Sequence, residues 1–488
     1  MHTRRVFGGA AALSLAAYFL LLAGDGLTVG FSHDDLMNMY GAARLTVWEE
    51  VRDTVLFFRY SDVYRPAGAL FYRALFDQFG FHPLAFRVGS FVLLGLNLAL
   101  GYAVARTLSG SAEVGLLTAL LFAFHGEMAP LYLSTGFIYD ILCLAFYCGA
   151  LLVYVRAREG GRVPSWGAMA VWTVLYVLCL NSKEMAVTLP VMIGLWEWLT
   201  QEAGKRSWRV AAWGAMLTAA FIVGRLWLPD SILKNPEYSP RLSAWVYLDR
   251  AEHFLWFVVY RAKWFTGWHA AVFGVFVCAV AVLWRNAAVR WAALWMAVSV
   301  LPIAFINQRS LAAAYIPFLA LAFFLAQVVW AGVAQVVGAV AGKRAPFAVV
   351  FACLLSLMFH VHRKHSPMPV HVERGEHVHI MKVAGQLDAW RQELRCAESI
   401  LFVEDPFPRF EWNSFFLVSL LAMDPAVKTP ACEGETPSYT APDRVRIPKR
   451  LRERYQPGDV VRFDLALTYE DGEMQERGGE SLEWRWAE

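Results

Sequence analysis

Apolar stretches long enough to cross a membrane recur along most of this chain, and they constrain its fold more than any other feature. Of the 488 residues, 58% are hydrophobic and only 17% are charged, too few charges for the surface of a soluble protein of this size. About eleven candidate spans lie near residues 6–23, 88–105, 114–132, 136–155, 167–181, 185–199, 210–228, 268–284, 290–306, 312–331 and 346–361. The sequence therefore predicts a polytopic α-helical membrane protein.

Positive charges set the expected orientation of these spans. Arg4 and Arg5 precede the first span, which favours a cytoplasmic N-terminus. Every short loop on that predicted side carries Lys or Arg, and an odd number of crossings then places the C-terminus on the opposite face. The first extracytoplasmic loop, residues 24–86, is the exception, because it contains five arginines and is followed directly by a sixth, Arg87. Either the loop is long enough to escape the rule, or its arginines have a function.

Two outer segments are predicted to lie along the membrane rather than to link spans. Residues 67–79 carry an apolar stripe at helical spacing, and residues 45–58 show a weaker version of it. The second segment, residues 229–267, has the same character. Together they would cover a cavity at the end of the membrane domain, which we place at residues 1–362.

Residues 363–488 are predicted to form a small extracytoplasmic α/β domain. Its expected elements are a strand at 399–404, a helix at 413–423 and a hairpin turning at Asp471-Gly472. Cys396 and Cys432 could pair if this part faces an oxidising compartment. Its role stays open between acceptor binding and structural capping. Six histidines lie near the domain boundary, but their spacing matches no compact zinc pattern. The net charge of +3, without a basic patch rich in aromatics, gives no sign of nucleic-acid binding.

A pair of acids, Asp34 and Asp35, follows the first span by about ten residues. Ionised side chains at a membrane surface commonly serve chemistry or transport. The structural alternative is a solvated pair, or a cap at the start of the helix that Leu36 and its neighbours would form.

Four segments, in this order and on this side of the membrane, resemble the GT-C glycosyltransferases that use lipid-phosphate sugars. They are HDDLMNM, VYRPAGALFYRALFDQFGFHPLAFR, FHGEMAPLYLSTGFIYDILCLAFY and NSKEMAVTLPVM. The similarity covers about residues 1–330 and is strongest to the protein O-mannosyltransferase-like, aminoarabinose-transferase-like and TMTC-like branches, without the tetratricopeptide repeats of the last. It implies a GT-C-like fold in a multi-pass membrane protein, and we expect a bacterial inner membrane with the site facing the periplasm or exterior.

The resemblance also implies the reaction and its residues. A monosaccharide would pass from a polyprenyl-phosphate donor to a hydroxyl of a protein, lipid or polysaccharide acceptor, with inversion. Asp34 or Asp35 would be the catalytic base. Lys183, Arg65 and Arg309 would bind the donor phosphate, although Lys183 could instead pair with Glu184 or extend to the interface.

The remaining predicted residues line the substrate site. Asp140 is the best match to a second acidic position of the family, and the others are Tyr64, His125, Glu127 and Glu184. If a divalent cation such as Mg²⁺ or Mn²⁺ is used, Asp34 and Asp35 would be its ligands. The alternative functions are a transporter or lipid flippase without glycosyl transfer, and a non-catalytic membrane scaffold or sensor.

Overall fold

The structure is a computed structural model of the whole chain. It describes residues 2–57, 65–227, 239–337, 344–410, 412–428, 430, 432, 437–441, 444–447, 460–476 and 482–485. Tyr64, predicted to line the site, lies outside these residues, as does the beginning of the second outer segment.

A long apolar helix opens the chain, and three shorter helices fold within the first outer loop. They are α1 (His2–Ala23), α2 (His33–Ala43), α3 (Val47–Val55) and α4 (Pro66–Phe79). Reciprocal capping bonds fix the starts of α2 and α3: Ser32 caps α2 with Asp35, and Thr46 caps α3 with Glu49. Helices therefore occur at both positions where the first outer loop was predicted to be amphipathic.

The next seven helices form the centre of the membrane part. They are α5 (Pro83–Ser109), α6 (Ala112–Ala123), α7 (Ala129–Leu133), α8 (Ile138–Ala157), α9 (Trp166–Leu180), α10 (Leu189–Thr200) and α11 (Arg209–Trp227). Helix α8 packs against α5 and α9. Its span is 83% buried inside the protein, compared with 17–56% for the other long unbroken spans. Helix α8 is therefore the central helix of the bundle.

Six further helices complete this part of the chain. They are α12 (Ala244–Val258), α13 (Gly267–Leu283), α14 (Ala287–Ser299), α15 (Leu301–Ala304), α16 (Tyr315–Val337) and α17 (Arg344–His365). Helix α16 packs against α6 and α14, and α17 packs against α1 and α6.

The described helices make this a multi-pass membrane protein, as predicted. Six of them are long and apolar enough to span a membrane, or seven if the bent pair Ala112–Ala123 and Gly126–Leu133, which meet at 66°, form one span. The apolar helices α9 and α13 are shorter. Each of the eleven predicted stretches coincides with a helix, but helix length and composition alone do not establish eleven crossings.

The C-terminal part is a small mixed α/β arrangement, as the sequence indicates. Its elements are α18 (Met368–Arg374), α19 (Glu376–Leu387), α20 (Arg391–Cys396), β1 (Ile400–Glu404), α21 (Asn413–Met423), β2 (Val445–Arg446), β3 (Val460–Phe463), β4 (Leu465–Glu470), β5 (Glu473–Glu476) and β6 (Leu482–Arg485). One sheet has the order β2-β1-β4-β5, in which β1 is parallel to both neighbours, and β3 pairs with β6 in a second sheet. Asp471 and Gly472 both adopt positive φ in the β4–β5 turn.

A disulfide links two segments of the C-terminal part, and aromatic contacts attach this part to the first outer loop. Cys396 and Cys432 form a disulfide. Tyr40 of α2 packs its ring against Phe415 and Phe416 of α21, with centroids 5.0 and 5.2 Å away. Helix α2 therefore lies between the membrane helices and the C-terminal part.

A buried ion pair fastens two loops on the predicted cytoplasmic side. Arg158 Nε lies 2.5 Å from Glu197 Oε1, and their side chains are 1% and 0% exposed. The same glutamate accepts hydrogen bonds from the Tyr154 hydroxyl and the Ser207 backbone N–H. Arg158 also donates to the carbonyl of Lys205, so the pair joins the α8–α9 and α10–α11 connections.

We expect Glu197→Ala to destabilise the protein by about 3–5 kcal/mol, because it leaves Arg158 buried without a counter-charge. Thermal unfolding in detergent measures this. Glu202→Ala is the matched control, since Glu202 forms an exposed pair with Lys205 and should leave the transition nearly unchanged. Equal shifts for the two variants would contradict a structural role for the buried pair.

Candidate active site

The two acids after the first span have different surroundings. Asp35 is completely buried and pairs with Arg87, which is 1% exposed, at 3.1 Å. Its Oδ1 accepts hydrogen bonds from Thr135 at 2.6 Å and Tyr72 at 3.3 Å. Its Oδ2 also accepts from the Ser32 backbone N–H at 2.8 Å. Both carboxylate oxygens are therefore occupied, and Asp35 is held as a structural anchor.

These partners come from segments that are far apart in sequence. Ser32 is the N-cap residue of α2, Tyr72 belongs to α4, Arg87 to α5, and Thr135 to the turn before α8. Because a buried carboxylate needs compensating donors, Asp35 fixes the start of α2 against all of them.

Asp34 is the opposite case, because its side chain is exposed. A Cβ built on Gly136 would lie only 2.8 Å from the Cβ of Asp34, so this approach requires glycine. Protein atoms around the carboxylate displace part of its water. This desolvation, followed by the negative charges of Asp35 and Glu376, raises the pKa of Asp34 above its ordinary value. An accessible carboxylate with a raised pKa can accept a proton from a substrate.

The face of α2 that carries Asp34 is turned towards α8. Asn38 lies one helical turn after Asp34 and therefore shares its face. Its side-chain oxygen accepts a hydrogen bond from the Tyr139 hydroxyl at 2.9 Å. The guanidinium carbon of Arg65 lies 5.5 Å from the centroid of the Tyr139 ring. Tyr139 thus links the acidic helix to the cations described next.

Two ion pairs lie beside this face. Lys183 Nζ is 3.0 Å from Asp140 Oδ2, and Asp140 stands in the first turn of α8, where the helix dipole favours an anion. Arg65 Nη2 is 3.0 and 3.1 Å from the two oxygens of Glu184. Lys183 is also close enough to act electrostatically on Asp34.

Glu184 is strongly stabilised as an anion. Burial by itself would raise its pKa, but the positive charges of Arg65, Arg225 and Lys183 outweigh it and lower the pKa to about 2. Three cations therefore act on Glu184, and one of them, Lys183, also pairs with Asp140.

Asn181 holds this region together through its backbone and its side chain. Its carbonyl accepts a hydrogen bond from the Ala67 N–H at 3.4 Å, and its amide donates to the Thr54 carbonyl at 2.8 Å. The segment from Asn181 to Glu184 is thereby joined to α3 and to the start of α4, where Arg65 is the N-cap residue.

Six of the predicted site residues are brought into this region. They are Asp34, Asp35, Arg65, Asp140, Lys183 and Glu184. Arg309 follows α15, which packs against the short 3₁₀ helix Glu184–Thr188. Its side chain is half-buried, and its role stays a prediction.

His125 and Glu127 belong to a different set of contacts. His125 stacks on Tyr260, with ring centroids 4.4 Å apart, and its Nε2 is 3.0 Å from the Val258 carbonyl. Glu127 pairs with Arg261 at 2.8 Å. These contacts hold the end of α12 against the α6–α7 bend.

One of the two predicted metal ligands, Asp35, does not fit a divalent cation. Asp35 already binds Arg87 and several neutral donors, and a cation at the same oxygens would be repelled by the guanidinium. Among the residues that the structure describes, no group of three or more His, Cys, Asp or Glu side chains could hold a metal ion.

Two arginines of this region have more specific contacts than the sequence could assign. In the sequence, Arg87 was visible only as the arginine that directly follows the five of the first outer loop. Arg225 is 5% exposed near the end of α11 and acts on Glu184. A single arginine in the otherwise apolar run FIVGRLW was the available signal for it.

The fold is similar to solved structures of ArnT from Cupriavidus metallidurans. The form bound to undecaprenyl phosphate aligns with a TM-score of 0.51 and 13% identity, covering 95% of this chain and 93% of that chain. The apo form aligns with a TM-score of 0.46 and 14% identity, covering 96% and 94%. No protein-family model and no curated protein matches the sequence. The alignment with the bound form shows that this chain has the fold of ArnT, which agrees with the predicted polytopic α-helical membrane protein.

We expect Asp35→Asn to destabilise the protein by about 3–5 kcal/mol, because Arg87 would lose its buried counter-charge. Asp34→Asn should cost less than about 1 kcal/mol, because that side chain is exposed. Thermal unfolding of the two variants in detergent makes the comparison. Similar losses at both positions would show that the two acids are not distinguished in this way.

Proposed function

We propose that this protein, whose fold is that of ArnT, is an integral-membrane glycosyltransferase. It transfers a monosaccharide from a polyprenyl-phosphate donor to a hydroxyl of a protein, lipid or polysaccharide. The observation that carries the proposal is the convergence of an exposed carboxylate, Asp34, with Lys183 and Arg65 from distant segments. The similar ArnT structure binds undecaprenyl phosphate, which supports a lipid-phosphate donor.

Asp34 is proposed as the general base. The acceptor oxygen attacks C1 of the sugar and forms the new glycosidic bond, while the bond between C1 and the phosphate oxygen breaks. The acceptor proton passes to Asp34, and the bonding electron pair leaves with the lipid phosphate. Attack from the face opposite the leaving group inverts the anomeric centre. Because the phosphate is already a good leaving group, positioning and proton removal are the main tasks of the protein.

Lys183 and Arg65 are proposed to bind the phosphate. Each is already paired with a carboxylate, Asp140 and Glu184 respectively, so both cations are held in place before the donor arrives. An ammonium has three donors, so Lys183 can contact Asp140 and a phosphate oxygen together. Charge builds on the phosphate as its bond to C1 breaks, and fixed cations stabilise that change.

We also propose in which membrane the protein lies and which side of that membrane the site faces. The site lies beyond the first span on the face opposite the positively charged short loops, which supports a periplasmic or exterior site in a bacterial inner membrane. The donor then enters from the outer leaflet. The acceptor comes from the aqueous side.

We expect Asp34→Asn to lower turnover by about 10²–10⁴-fold, since the general base is lost. Purified protein in lipid nanodiscs, supplied with a polyprenyl-phosphate sugar and an acceptor extract, provides the assay. Asp53→Asn is the matched control, because Asp53 forms an ion pair with the exposed Arg52 on α3, and it should keep full activity. Wild-type protein that only moves lipid between leaflets, without glycosyl transfer, would contradict the proposal.

The pH dependence follows from the raised pKa of Asp34. The base works only when it is ionised, so kcat/KM should fall as the pH drops through that pKa. The fall should begin at a higher pH than for an ordinary aspartate. A rate that stays constant down to the usual range of aspartate would exclude Asp34 as a base with a raised pKa.

We expect Lys183→Ala to lower kcat/KM for the donor by about 10²-fold, because one fixed cation at the phosphate is lost. Lys382→Ala removes an exposed lysine that pairs with Glu473 in the C-terminal part and should have no effect. Both variants are tested by measuring kcat/KM for the donor in lipid nanodiscs. Full activity of Lys183→Ala would remove this residue from the phosphate site.

A further inference from the structure

The residue before Asp34 is held almost entirely by the C-terminal part of the chain. The backbone N–H of His33 donates to Glu376 Oε1 at 3.2 Å, and its Nε2 is 3.5 Å from Glu376 Oε2. The ring stacks on Phe410 with centroids 3.7 Å apart and planes inclined by 24°. The side-chain amide of Asn413 is hydrogen-bonded to Nδ1. These contacts engage the backbone N–H of His33, one face of its ring and both ring nitrogens. The ring therefore has little freedom to rotate.

The chemistry of these contacts fixes the state of the ring. Burial lowers the pKa of His33; the charge of Asp34 opposes this effect, and His379 reinforces it. The lowered pKa favours the neutral form of the ring. An amide N–H of Asn413 can donate to Nδ1 only if the ring proton is on Nε2. That proton then points towards Glu376.

The same contacts bear directly on Asp34. His33 and Asp34 are consecutive residues in the first turn of α2, so the direction of one side chain constrains that of the other. The negative charge of Glu376 also acts on Asp34. The other charged or titratable groups that act on Asp34 are Asp35, His33 and Lys183.

We infer that the C-terminal part supplies positioning residues to the site: Glu376, Phe410 and Asn413 hold His33 and so set the direction of the Asp34 carboxylate. This inference rests on the proposed function. It assigns the C-terminal part a role in the transfer step, in place of simple capping or acceptor binding. None of the three residues needs to touch the substrate.

The pH profile of Glu376→Gln tests the inference in the full-length protein. Removing the negative charge lowers the pKa of Asp34, so the acid limb of kcat/KM should move to lower pH. The weaker base should lower kcat severalfold, with the KM for the donor unchanged. Glu376→Asp keeps the charge and should keep the wild-type limb. Glu473→Gln, on β5, is the control and should match the wild type.

Asn413→Ala provides a second variant, which also serves if Glu376→Gln does not fold. It leaves every charge in place and frees the ring of His33, so kcat should fall roughly tenfold without an increase in donor KM. Thermal unfolding is measured alongside for each variant.

The outcomes separate this inference from the proposed function. Wild-type protein without glycosyl transfer overturns both. Active wild-type protein, with an unshifted acid limb in Glu376→Gln, overturns the positioning role alone. A fall in kcat of Asn413→Ala that only parallels a loss of folded protein also overturns it.

Discussion

The ion pair between Asp35 and Arg87 is the interaction on which the arrangement of the site depends. A charge buried this completely is tolerated only when its partners are in place. Asp35 meets that requirement with donors from four separate segments, and the start of α2 is therefore fixed against the membrane bundle. The backbone of Asp34, the next residue towards the N-terminus, is therefore fixed as well, while its carboxylate stays exposed. One acid holds the helix, and its neighbour is free for chemistry.

The cations around the site follow the same logic of paired charges. Lys183 faces Asp140, and Arg65 faces Glu184. A cluster of unpaired cations at a membrane surface would repel itself and disorder its own side chains. Carboxylate partners hold the cations in position. Under the proposed function, a lipid phosphate meets donors that need little rearrangement, which is the condition for efficient electrostatic stabilisation.

The exception to the orientation rule now has a physical explanation. The arginines in and directly after the first outer loop depart from the rule that places positive charge in the short loops of the other side. Arg87 is buried against Asp35, Arg65 against Glu184, and Arg73 donates to backbone carbonyls and to Asp77. These three are bound within the protein, so they serve its structure. His125 and Glu127 make contacts that hold the end of α12, and their predicted role at the site stays a prediction.

The sequence by itself determined the membrane class, the positions of the helices, the small α/β C-terminal part and the residues Asp34, Lys183 and Glu184 as candidates. These follow from local patterns of hydrophobicity, charge and turn residues, which act over one helix or one hairpin. Only the tertiary structure decided which acid is buried and which is exposed, that Arg225 acts on Glu184, and that Glu376 reaches His33. Such pairings join residues that are tens to hundreds of positions apart, and their energies depend on burial. Burial is a property of the packed chain, so no local pattern contains it.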